Sequence, residues 1–276
     1  MALLDGKQVS QKIIAGLKDE IAKISKKLSL GVVVVGEDAA VKKFIAQKRK
    51  VADELGIDFR IYNCDPGIST SELRSRLKAI VHDARPAGII IQLPLPSHLN
   101  AQYILNSIPP EKDVDVLSAR AMGDFAAGKS NILPPVVGAI KMLLAEYGID
   151  YRGKYVAVIG AGTLVGKPVA LWLLNEKISF SVAEAGTPDI SEFTKNADVI
   201  ISGAGRPGLI RGDMVKAGAV VIDCGTTEAG GELRGDVDFD SVAPKASFIA
   251  PVPGGVGPVT VAMIYQNLIT LVKSRR

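Results

Sequence analysis

Tyr155-Val156-Ala157-Val158-Ile159-Gly160-Ala161-Gly162-Thr163-Leu164-Val165-Gly166 is the stretch on which the fold turns. Five successive nonpolar or aromatic residues suit a strand covered on both faces. The glycines that follow let backbone N–H groups come close to a phosphate, and the start of a helix adds a field that favours negative charge. The spacing is G-x-G-x-x-x-G, one residue longer than the usual dinucleotide fingerprint. A tight strand-to-helix turn that binds nothing therefore competes with a cofactor site, and the surrounding βαβ pattern favours the cofactor.

The same alternation extends in both directions from this turn. Downstream the pattern predicts a helix over 164–175 and strands over 178–183, 198–202 and 219–223. Upstream it predicts helices over 11–26, 42–55 and 71–81 and strands over 28–35 and 58–64. A further strand begins at residue 88 and runs into Gln92-Leu93-Pro94-Leu95-Pro96. Apolar strands separated by helices define an α/β protein with parallel sheets. Ile132-Leu133-Pro134-Pro135, ahead of a helix over 137–147, marks the passage between two domains, the second of Rossmann type.

Composition narrows the function. The chain has 276 residues, 47% of them hydrophobic, enough for one large core or two modest ones. Thirty-three Lys and Arg against 29 Asp and Glu give a net charge of +4 with no long basic run, which suits small anionic ligands better than nucleic acid. Cys64 and Cys224 are too far apart to suggest a disulfide framework and are expected to be reduced. His82 and His98 have no acidic or cysteine cluster at metal-ligand spacing, so no metal is expected. The N-terminus has no apolar signal core and no stretch has the length to cross a bilayer, which makes the cytoplasm the expected address and a membrane partner unexpected.

Glu184 stands 24 positions after Gly160, at the end of the following strand, where a carboxylate can accept a hydrogen bond from an adenosine ribose. That placement favours NAD over NADP. A solvated surface acid is the alternative.

Three further segments carry a family resemblance. Pro251-Val252-Pro253-Gly254-Gly255-Val256-Gly257-Pro258-Val259-Thr260 resembles the hallmark loop of the methylenetetrahydrofolate dehydrogenase/cyclohydrolase family, and Gln92-Leu93-Pro94-Leu95-Pro96 and Lys112-Asp113-Val114-Asp115 are similar to two more of its motifs, in family order. The resemblance covers essentially the whole chain. It implies a folate-binding catalytic domain of residues 1–118 with 260–276, an NAD(P)-binding Rossmann-type domain of residues 137–259, and a cleft between them. It also implies oxidation of 5,10-methylenetetrahydrofolate with NADP as the family's cofactor, hydrolysis of the methenyl product to 10-formyltetrahydrofolate, and a homodimer.

By the same resemblance, Lys48, Gln92 and Asp115 take the working positions. Lys48 assists water addition, Gln92 orients it, and Asp115 holds the pterin. Phe44, Leu93 and Pro253-Gly254-Gly255-Val256-Gly257 join them in binding the folate, and Gly160, Ala161, Gly162, Glu184 and Thr226 serve the cofactor. The sequence also departs from the family. Where relatives read Ala-Ser-x-x-Tyr-Val-x-x-Lys, this chain has Ala40-Val41-Lys42-Lys43-Phe44-Ile45-Ala46-Gln47-Lys48, without the serine and tyrosine hydroxyls. Val116 replaces a glycine, Leu133-Pro134-Pro135-Val136-Val137-Gly138 replaces Pro-Cys-Thr-Pro-x-Gly, Gly162 replaces a serine, and Glu184-Ala185-Gly186-Thr187 replaces His-Ser-x-Thr. Two narrower functions stay open on the sequence: a dehydrogenase with impaired hydrolysis, and a non-catalytic folate- or dinucleotide-binding paralogue.

Overall fold

The computed structural model describes residues 1–36, 39–184, 186–229 and 232–275. The chain divides into two compact units, one of Lys12–Pro135 with Val261–Arg276 and the other of Met1–Gln11 with Val136–Thr260.

The chain opens with β1 (Ala2–Leu3) and α1 (Gly6–Ala22). It continues through β2 (Ser29–Val35), α2 (Ala39–Glu54), β3 (Asp58–Cys64), α3 (Thr70–His82), β4 (Gly88–Ile91), α4 (Ala101–Leu105) and α5 (Ala119–Ala126). β2 lies between β3 and β4 in a parallel three-stranded sheet, with Leu30 opposite both Phe59 and Gly88. Its valine run suits a pleated surface buried on both sides. Leu73, Leu77 and Ile80, at helical spacing on α3, pack against Val33, Ile89 and Ile91. α3 begins with a reciprocal capping box, in which Ser69 Oγ accepts from the Glu72 amide and Glu72 accepts from the Ser69 amide.

The second series comprises α6 (Pro135–Glu146), β5 (Tyr155–Ile159), α7 (Gly166–Asn175), β6 (Ser179–Ala183), α8 (Ser191–Thr194), β7 (Val199–Ser202) and β8 (Val220–Asp223). It ends with β9 (Thr227–Ala229), β10 (Glu232–Arg234), α9 (Phe239–Val242), β11 (Phe248–Ala250) and α10 (Val256–Ser274). Six strands form a parallel sheet in the order β1-β11-β8-β7-β5-β6, while β9 and β10 form a separate antiparallel pair. Ala157, Ile159, Ile200, Val221 and Ile249 supply its buried layer.

Several boundaries differ from the sequence reading. α1 starts at Gly6 rather than residue 11, because Asp5 Oδ1 accepts the amides of Lys7 and Gln8 at 2.9 and 3.1 Å and so caps the helix. Residues 1–11 belong with the six-stranded sheet rather than with the first αβ series, since β1 pairs with β11; a two-residue strand has no periodicity to announce it. The strand expected to begin at residue 88 ends at Ile91, directly before Gln92. The last helix begins at Val256, inside the hallmark segment Pro251–Thr260, so Val256 and Gly257 form the first turn of α10.

Candidate active site

Lys48 lies in α2, and Gln92 follows β4 directly. Ile89 pairs in parallel with Asp113, so the chain leading to Asp115 leaves the sheet in the direction taken by β4 and Gln92. The three residues thus gather at the C-terminal ends of parallel strands, where open α/β sheets place their ligands. Lys48 Nζ donates to Gln92 Oε1 at 2.7 Å, and Gln92 Nε2 donates to the Leu93 carbonyl at 2.7 Å. The second bond fixes the amide so that its oxygen faces the lysine. Leu93 therefore acts through its backbone, orienting the glutamine.

The motif Lys112-Asp113-Val114-Asp115 separates into structural and available parts. Lys112 Nζ donates to the carbonyls of Val81 and Asp83 and closes the end of α3. Asp113 is buried and accepts the amides of Leu117 and Ser118 at 3.1 and 2.8 Å. Val114 is core. Asp115 alone has a carboxylate that accepts no hydrogen bond from the described residues. Burial pushes its carboxyl up to about 6, against the pull of Lys48 and with the help of Asp113. Burial also lowers the Lys48 ammonium from its ordinary value, and Asp115 partly restores it. Val116, next in sequence, is fully buried with φ of 57°, a left-handed backbone that valine rarely adopts. Phe44 is half-buried one helical turn before Lys48, on the same face of α2.

Pro253, Gly254 and Gly255 form a tight turn in the other unit. The Gly255 amide donates to the Pro251 carbonyl at 2.8 Å, and Gly254, at φ of 109°, accepts from the Gly6 amide at 3.0 Å. Val256 is buried and Gly257 exposed.

The turn after β5 fits a dinucleotide. Gly160 has φ of 94°, and a Cβ there would meet Gly203 O at 2.7 Å; a Cβ on Gly166 would overlap the Gly160 carbonyl. Both glycines therefore allow α7 to start close against the strand, leaving Ala161 half-buried and Gly162 exposed, with open space where a Gly162 side chain would go. The Gly160 amide donates to the Ala183 carbonyl at 2.8 Å, which sets Glu184 beside the first glycine. Glu184 is exposed, its amide donates to Thr187 Oγ1 at 2.9 Å, and its carboxylate has no hydrogen bond among the described residues. Ala185, part of the altered His-Ser-x-Thr segment, lies outside the described residues. Thr226 is exposed after β8.

Sequence reasoning missed two buried carboxylates that hold these loops. Asp236 accepts from Ser202 Oγ at 2.8 Å and from the amides of Ala204 and Arg206 at 2.6 and 2.8 Å. Asp223 accepts the amides of Gly225, Asp236 and Val237 at 2.9, 3.0 and 2.9 Å, and burial pushes it up to about 6. The Gly-Asp spacing at Gly235-Asp236 was the available signal. Among the described residues, no group of three or more His, Cys, Asp or Glu is placed to hold a metal.

A glycine turn at the head of a Rossmann-type sheet, carried in one chain with a lysine–glutamine–aspartate group on a second parallel sheet, defines a two-domain α/β enzyme of the nicotinamide-dinucleotide class. The chain belongs to the tetrahydrofolate dehydrogenase/cyclohydrolase family: the profile of the family's catalytic domain matches residues 4–115, and that of its NAD(P)-binding domain matches residues 134–276. It is 41% identical over 277 residues to the bifunctional protein FolD of Hydrogenobaculum sp., covering all of both chains. Among solved structures it is similar to the bifunctional methylenetetrahydrofolate dehydrogenase/cyclohydrolase of Campylobacter jejuni, at 40% identity and TM-score 0.95 over the full length of both chains. It is also similar to the Trypanosoma brucei enzyme complexed with NADP cofactor and inhibitor, at 34% identity and TM-score 0.94, covering 100% of this chain and 98% of that one.

Proposed function

We infer that the chain oxidises 5,10-methylenetetrahydrofolate to the 5,10-methenyl compound and hydrolyses that product to 10-formyltetrahydrofolate. The observation that carries the site assignment is the pairing of a desolvated lysine, held by an oriented amide, with a carboxylate that has no hydrogen-bond donor of its own. Such a carboxylate suits a ligand with adjacent N–H donors, as a pterin ring presents, and we assign Asp115 that part. Lys48, its ammonium weakened by burial, works as the neutral amine: it takes one proton of the water that adds to the methenyl carbon and returns it to the ring nitrogen as the C–N bond breaks, while the remaining hydroxyl proton leaves to solvent as the formyl C=O forms. Gln92 keeps the amine pointed at the reacting carbon. Phe44 and Leu93 complete the folate contacts in this assignment.

A bound nicotinamide dinucleotide supplies the hydride acceptor. The amides at the start of α7 receive its pyrophosphate, with Gly160, Ala161 and Gly162 allowing the approach. NADP is the working cofactor in this reading, as in the T. brucei complex. Glu184, beside Gly160, weakens discrimination against NAD by repelling a 2′-phosphate. Thr226 contacts the cofactor through its backbone. Two copies of the chain form the working unit; β3 lies at the edge of its sheet, and sedimentation at micromolar concentration tests the assembly. No described helix is long and apolar enough to cross a membrane, and we place the enzyme in the cytoplasm.

Lys48→Met tests the central assignment. The variant keeps the length of the side chain and removes the amine, so methenyltetrahydrofolate hydrolysis falls to background in a folded protein. Undiminished hydrolysis would remove Lys48 from the mechanism.

A further inference from the structure

Two residues of α10 grip the backbone beside both charged members of the site. Tyr265 is fully buried, and its hydroxyl donates to the Lys48 carbonyl at 2.5 Å. Asn267 is also buried, and its Nδ2 donates to the Val114 carbonyl at 2.8 Å and the Leu133 carbonyl at 2.8 Å. Successive helical residues turn by about 100°, so side chains two apart point to nearly opposite sides. One side of α10 thus holds the peptide group of Lys48, and the other holds the peptide group that precedes Asp115.

The first bond enters the hydrogen-bond ladder of α2 itself: the Lys48 carbonyl lies inside the helix, and the Tyr265 hydroxyl that donates to it also accepts from the amide of Ala52, four residues ahead. On the other side, Val114 and Val116 flank Asp115, and Val116 is in the left-handed region, so that turn needs outside support to keep its shape. Leu133 belongs to the altered Leu133-Pro134-Pro135 segment, and the same Asn267 amide ties it to Val114.

We propose that Tyr265 and Asn267 are positioning residues for the hydrolytic step, setting the separation of the Lys48 amine and the Asp115 carboxylate by holding the backbone beside each. The inference rests on the roles given to Lys48 and Asp115 above. Neither side chain touches the reacting atoms. Because each charge alters the other's protonation, a change in their spacing appears in the pH dependence of the rate as well as in its size.

The test uses the full-length protein, with hydrolysis of the methenyl substrate followed across the pH range in which the parent is folded. Tyr265→Phe removes one oxygen and keeps the ring. It is expected to lower kcat for hydrolysis about tenfold, to change KM by less than about twofold, and to displace the pH midpoint of kcat. Asn267→Asp keeps the size, removes the amide donor, and is expected to act in the same direction. A Tyr265→Phe protein with a lowered melting temperature but the parent's kcat and pH midpoint would make the tyrosine merely structural and overturn the proposal, as would no change at all. Should Asn267→Asp fail to fold, the tyrosine variant decides alone. A parent without hydrolysis would instead refute the assigned function, and the proposal would fall with it.

Discussion

Asp115→Asn is expected to stabilise the protein while abolishing folate binding, and the size of the gain follows from the carboxylate's surroundings. Burial raises the Asp115 carboxyl from its ordinary 3.8 to about 6. A displacement of that size corresponds to about 3 kcal/mol of destabilisation when the group is ionised in the fold, and this already includes the attraction of Lys48. The residue is partly exposed, and screening reduces the figure to about 1–2 kcal/mol. The sign follows from linkage: the folded state binds the proton more tightly than the unfolded chain, so stability is lost as pH rises from about 3.8 to about 6 and levels off above that. Asparagine does not titrate. Urea denaturation of the ligand-free parent and variant should therefore show a higher midpoint for Asp115→Asn near neutral pH, with the difference vanishing below the ordinary carboxylate range. Equal differences at both pH values, or a less stable variant near neutrality, would refute the view that Asp115 is a desolvated, unsatisfied carboxylate kept for a ligand.

Other perturbations address the departures from the family pattern. Phe44→Tyr adds one hydroxyl on the face that carries Lys48, and hydrolysis is expected to rise about two- to tenfold, the worth of one hydrogen bond; lost activity in the variant would mean that the site is built around phenylalanine. Glu184→Gln removes the charge beside Gly160, and the NADP-to-NAD ratio of kcat/KM should rise about fivefold, corresponding to roughly 1 kcal/mol for a partly screened pair. An unchanged ratio would place Glu184 in solvent. At Val116, with φ of 57°, glycine loses the buried side chain but relieves the backbone, whereas alanine loses the side chain and keeps the strain. Val116→Gly should consequently be less destabilising than Val116→Ala by about 1 kcal/mol in denaturation midpoints, the reverse of their order in ordinary backbone.

What the sequence determined by itself is local. The valine run of β2, the spacing of Leu73, Leu77 and Ile80, and the strand leading into Gly160 each state their conformation within a few residues, because burial on a helix or strand imposes a short period. Motif resemblance singled out Lys48, Gln92 and Asp115 as the expected site for the same reason: chemistry restricts residue type at particular positions. The partners of those residues come from distant parts of the chain, and no short-range pattern encodes them. Nothing in Lys112-Asp113-Val114-Asp115 says which acid is satisfied; that depends on the amides of Leu117 and Ser118 folding back on Asp113 and leaving Asp115 bare. The placement of β1 beside β11, the loops tied to Asp223 and Asp236, and the grip of Tyr265 and Asn267 on the site were likewise decided by tertiary structure. Each joins groups separated by many residues, and only a compact chain brings such donors and acceptors within reach.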